Sequence, residues 1–158
     1  MSDPQNHFMA RAIELSLENV RSGRGGPFAA VVVKHGKVIA EGVNQVTLLN
    51  DPTGHAEVIA IRAACKQMEN FELRDCELYC SCEPCPMCLG AIYWARLARV
   101  YFANTEQDAA EIGFDDSFIY REITKHFSQR NIPMAQMMRE QALAAFQAWR
   151  DKPDKKMY

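Results

Sequence analysis

Residues 76–96 read CELYCSCEPCPMCLGAIYWAR, from Cys76 to Arg96, and this stretch decides the fold. Glu77 to Cys82 has the length of a strand, with Cys80 and Cys82 alternating to one face. Pro84 breaks the chain. Cys85 to Ala95 then reads as a helix with Pro86 in its first turn, where a missing N–H costs nothing. Three residues separate Cys85 from Cys88, so their sulfurs fall on nearly the same helix face. A helix start favours thiolate over thiol. The stretch is therefore a strand feeding a metal-binding helix.

The other half of the pattern lies thirty residues upstream. Asp51-Pro52-Thr53-Gly54 stops the chain before a helical stretch from His55 to Met68, in which Val58, Ile61 and Cys65 share a face. His55, Cys85 and Cys88 supply three ligands suited to Zn2+, one ion per subunit, and leave a coordination position for water. Glu57 is poorly placed as a fourth ligand, because in a helix it points about 200° away from His55. A carboxylate one step outside the metal is the natural proton shuttle. Zinc lowers the pKa of bound water to about 7, and Glu57 then carries protons between water and substrate. The competing arrangement is a closed, inert zinc staple, with Cys80 or Cys82 as fourth ligand. Burial as small apolar residues accounts for both of these cysteines, and for Cys65 and Cys76.

Further out, Met9, Ile13, Leu17 and Val20 recur at helical spacing between Pro4 and Val20, and Ser22 to Pro27 ends that helix. Phe28 to Val33 and Lys37 to Val46 read as strands joined at His35-Gly36, a hairpin turn. Leu97 to Ala103 is a fourth strand. Helical segments follow over Glu106 to Ile112, within Phe114 to Lys125, and over Ala135 to Trp149, where Met134, Met137, Met138 and Phe146 read as core filler. The order predicts an α/β fold with three layers, α-β-α. Its central mixed sheet combines an N-terminal antiparallel hairpin with later parallel strands.

The bulk properties narrow the function. The 158 residues make one domain, 48% hydrophobic and 24% charged. Five of the six cysteines crowd between Cys76 and Cys88, which favours metal binding in a reducing compartment over a disulfide framework. No apolar run is long enough to span a membrane, and Met1 to Asn6 lacks a signal-peptide layout, so a cytoplasmic protein is expected. The net charge of −2 gives no basic stripe for RNA or DNA. A small-molecule substrate is expected, with no nucleic-acid or membrane partner.

The metal motif, with Gly25-Gly26-Pro27-Phe28, Asn50-Asp51-Pro52-Thr53 and Gly113-Phe114-Asp115-Asp116-Ser117-Phe118, resembles the cytidine-deaminase-like zinc hydrolases. Within them it is similar to the bacterial guanine deaminases, nearly end to end. That resemblance implies hydrolysis of guanine to xanthine and ammonia. It implies that Asn44 hydrogen-bonds the purine, Asp116 accepts from it (Asp115 being the competing carboxylate) and Phe28 packs on the ring. It also implies a homodimer in which residues 131–158, a C-terminal helix and tail, are exchanged so that Tyr158 closes over a site. Glu83 and Trp94 are expected near the site or in the core, without chemistry, and Glu111 near the pocket loop. The rivals are a tRNA adenosine deaminase, another nucleobase or amino-triazine deaminase, and an inactive zinc-stapled interaction module.

Overall fold

Strand β1, Ala29–Lys34, is buried from Ala29 to Val33, so helices must cover both of its faces. The computed structural model describes residues 4–158. Met1–Asp3, part of the stretch read against a signal peptide, lie outside the described residues. The chain forms two compact units, Met1–Ser117 and Phe118–Tyr158.

In the first unit β1 pairs antiparallel with β2, Lys37–Val43, through a turn in which His35 and Gly36 both take positive φ. On its other side β1 pairs antiparallel with β3, Cys76–Cys82. Strand β3 pairs parallel with β4, Arg99–Asn104. The sheet order β2-β1-β3-β4 is the mixed sheet expected. Helix α1, Pro4–Arg21, covers one face, where Ala12 and Leu15 meet Ala29, Val31, Val33 and Tyr79. Helices α3, Ala56–Met68, and α4, Pro86–Trp94, cover the other. There Ala56, Ala60, Ala64 and Ile92 meet Ala30, Val32, Leu78 and Cys80. Small residues bring α3 close. A Cβ on Gly42 of β2 would collide with the Ala56 carbonyl and lie 2.6 Å from the Ala60 amide nitrogen. No helix among the described residues is long and apolar enough to cross a membrane.

Several local expectations shift. The inward face of α1 is Ala12, Leu15 and Asn19, while Ile13, Leu17 and Val20 are each nearly half exposed. Small side chains allow close helix–sheet approach, and Asn19 finds carbonyl partners inside, so apolar spacing alone misplaced the stripe. Strand β2 ends at Val43 instead of Val46. The Asn44 side-chain oxygen accepts from the Val46 amide, turning the chain into the short helix α2, Val46–Leu49. Strand β4 begins two residues late, because Arg96 adopts a left-handed conformation after α4 and Ala98 only then bonds to Cys76. Trp94 is 68% exposed and is not core. Helix α5, Glu106–Glu111, starts on a capping box in which Thr105 and Asp108 satisfy each other's amides. Helix α6, Ser117–Thr124, leads from the first unit into the second.

The second unit continues with a 3₁₀ turn, Phe127–Gln129, and α7, Arg139–Asp151. The Glu122 carboxylate accepts from Lys125 and from the Asn131 amide, tying the segment after α6 back onto it. Helix α7 starts four residues later than expected, after Met138 in a left-handed conformation, and buries none of its residues. Met134, Met137, Met138 and Phe146 are all more than half exposed, so they do not fill a core.

Candidate active site

Two helix starts meet beside the sheet. His55 is the residue just before α3, extended at φ −72°, and Cys85 stands in the same position before α4, with Pro86 next. Both therefore sit one residue outside the helices expected to contain them. The loop 51–54 fixes His55. Thr53 donates to Asp51 through its amide and its hydroxyl, and the His55 amide donates to the Thr53 carbonyl at 2.8 Å. These bonds from Thr53 hold the Asp51 carboxyl below its ordinary range.

The donor atoms of His55, Cys85 and Cys88 all lie within 4.8 Å of one another. The His55 Nδ1 is 3.5 Å from the Cys85 sulfur and 3.6 Å from that of Cys88. With Zn–S about 2.3 Å and Zn–N about 2.0–2.1 Å, a sulfur–nitrogen edge of a tetrahedron is about 3.6 Å long. The three residues thus fit zinc. The adjacent Cys88 and His55 side chains draw the Cys85 thiol well down, while Cys85 and burial push the Cys88 thiol up. The bond to Cys85 raises His55.

Glu57 is 8% exposed, and its carboxylate lies 3.4 Å from the Cys88 sulfur, beside the ligand cluster and not within it. Burial raises its pKa. Cys80 and Cys82 are buried on β3 and stay out of the cluster, and Cys82 donates to the Thr105 carbonyl instead. Three donors are assembled, as in an open zinc site.

Three of the four residues expected to bind substrate lie in the same unit as this cluster. Asn44 is 8% exposed at the end of β2. Phe28 packs edge-on against Phe114, ring centroids 4.9 Å apart. Asp116 has one carboxylate oxygen buried with no hydrogen-bond partner. Its pKa is raised by burial, then by the Glu106 charge, and its own charge acts on His55. Asp115 instead caps the Ser117 amide at 2.9 Å. The fourth, Tyr158, lies in the second unit, 69% exposed. Glu83 accepts from the Glu106 amide and so ties the loop before Cys85 to α5. Glu111 ends α5 and is exposed. Asn19 and Phe114 were not singled out from the sequence. A polar residue seven positions after Ala12 and four after Leu15, on the same helix face, was the signal for Asn19.

A mixed sheet between helix layers, with two thiols, an imidazole and a buried carboxylate at paired helix starts, defines a zinc-dependent deaminase. The family model for the cytidine and deoxycytidylate deaminase zinc-binding region matches residues 2–104. Guanine deaminase of Bacillus subtilis (strain 168) is 58% identical over 155 residues, covering 97% of this chain and 99% of that one. Its X-ray structure superposes with a TM-score of 0.95 at 56% identity, over 100% of this chain and 99% of that one. The tRNA-specific adenosine deaminase of Aquifex aeolicus (strain VF5) is 43% identical over only 81 residues, 51% of this chain and 54% of that protein. The chain belongs to the cytidine and deoxycytidylate deaminase zinc-binding family and, within it, to the guanine deaminases.

Proposed function

We propose that this chain hydrolyses guanine at C2 to xanthine and ammonia, with His55, Cys85 and Cys88 holding zinc. When bound, zinc acidifies water and so supplies a nucleophile at neutral pH. Water's oxygen bonds to C2 and the C2–N bond to the exocyclic amine breaks. Glu57 takes water's two protons in turn, returning one to a ring nitrogen and one to the departing amine. Its burial suits this role, because a raised pKa brings a carboxyl closer to the working pH.

One observation carries the choice of guanine: the buried Asp116 oxygen without a protein partner. Guanine presents N1–H and its 2-amino group as adjacent donors, and an unpaired buried acceptor is costly until such donors arrive. Asn44 supplies an amide for the acceptor atoms of the purine, and Phe28 supplies a ring face. The tRNA-deaminase reading has less support, since that similarity covers half the chain and the net charge is −2.

The active form in this reading is a homodimer that exchanges residues 131–158, each Tyr158 closing the partner's site. Its support is α7, which buries no residue while Met137 and Phe146 stand more than 70% exposed. Free thiols in every described cysteine suit the cytoplasm. Ammonia release with guanine, adenine, cytosine and guanosine tests the substrate. Turnover of another base with failure on guanine overturns it.

A further inference from the structure

We propose that Asn19, which is not one of the metal-cluster residues, is a positioning residue that sets the geometry of the purine pocket. The inference rests on the reading of Phe28 and Asn44 as purine contacts. Asn19 is fully buried on α1, in a row with the apolar Ala12 and Leu15. Its side-chain amide donates to two main-chain carbonyls, those of Gly26 and Asn44, each at 2.9 Å. The Gly26 carbonyl also accepts from the Phe28 amide at 2.9 Å, and the Phe28 carbonyl accepts from the Asn44 amide at 3.0 Å. These four bonds close a ring around both pocket residues. One amide group thereby holds the backbone of the aromatic wall and of the hydrogen-bonding asparagine at a set separation.

The choice of residue argues for position over stability. Asn19 Oδ1 has no hydrogen-bond partner, and a buried unpaired acceptor is a cost that an apolar side chain would avoid. What an apolar side chain lacks is the forked pair of donors. Gly25 adds a second, independent sign of a tight fit. A Cβ there would collide with the Asn44 carbonyl and stand 3.0 Å from the Asn19 side-chain nitrogen. The loop therefore packs against the carbonyl that Asn19 grips.

The test compares Asn19→Asp, which keeps the shape and removes both donors, with Gly25→Ala, which pushes on the same carbonyl. Each is assayed as the full-length zinc-loaded enzyme below its own melting temperature, with Asn44→Ala as the reference. Both are expected to raise KM for guanine about tenfold or more while kcat stays within about threefold and one zinc per chain is retained. A general structural weakening would instead lower the active fraction, and hence kcat, at unchanged KM. The inference is overturned if KM is unchanged in both variants, or if the loss falls in kcat or in zinc content. If Asn19→Asp does not fold, Gly25→Ala alone decides. Asn44→Ala separates the two levels: an unchanged KM there defeats the pocket reading itself. A raised KM there beside normal KM in the other two defeats only the role of Asn19.

Discussion

Glu57 and Asp116 are two buried or half-buried carboxyls with opposite local circumstances. Glu57 contacts a cluster thiol, whereas Asp116 holds a buried oxygen without a hydrogen-bond partner. Their replacements should therefore fail differently. Glu57→Gln is expected to keep one zinc per chain by metal analysis while turnover falls about 10²–10⁴-fold, the usual worth of a proton-transfer group. Retained turnover would remove Glu57 from that role. Asp116→Asn presents an amide where an acceptor is needed, and should lower kcat/KM for guanine by about 10²-fold or more. Asp115→Asn, at the carboxylate that accepts from the Ser117 amide where α6 starts, should leave kcat/KM within about threefold. Equal effects of the two would show that the buried oxygen is not the purine acceptor. His55, Glu57, Cys85 and Cys88 were legible in the sequence because ligand chemistry restricts residue type and spacing tightly. Asp116 was separable from Asp115 only through the similarity, since adjacent carboxylates look alike until burial distinguishes them.

At the scale of elements, the site depends on how closely α3 approaches β2 and on how α5 starts. Gly42→Ala sets a methyl group against the backbone of Ala56, the first residue of α3 after His55. It should destabilise the fold by about 1–3 kcal/mol, as overpacking does. A zinc-competition titration should also show weaker metal binding, and unchanged zinc affinity would mean that α3 moves without carrying His55. Helix α5 gives a pH test. The amide and hydroxyl of Thr105 hold the Asp108 carboxyl below its ordinary value of 3.8. A depressed folded pKa contributes stability that is complete above the unfolded value and disappears as pH falls through the folded one. Asp108→Asn should therefore lower Tm by about 1–4 °C at pH 7. That difference should shrink below about pH 4. A gap independent of pH would assign the effect to something other than the charge. Strand and helix existence was readable from apolar runs and Pro or Gly breaks. The inward face of α1 was not, because the burial of Asn19 depends on two carbonyls outside the helix, those of Gly26 and the more distant Asn44.

Across the whole molecule, the second unit is short of burial. Ile132, Met137, Met138, Phe146 and Met157 are each at least two-thirds exposed, an apolar load that a lone chain does not cover. Segment exchange would bury it, so the full-length chain should sediment as a dimer at micromolar concentration. A monomer would defeat the exchange. Deletion after Trp149 should reduce guanine turnover more than zinc content, because it removes Tyr158 and leaves the three metal ligands. A fully active truncation would rule out the terminal tyrosine as a lid.

By itself the sequence determined the reaction chemistry and the layer order. Zinc accepts few ligand types, and their spacing on helix starts follows from local geometry; alternation and breaks likewise act over a few residues. Only the tertiary structure decided which carboxylate lacks a partner, which face of α1 points inward, and that Asn19 links Phe28 to Asn44. Those facts depend on contacts between segments far apart in the chain, where burial and hydrogen bonding are shared among residues whose local sequences carry no mark of one another.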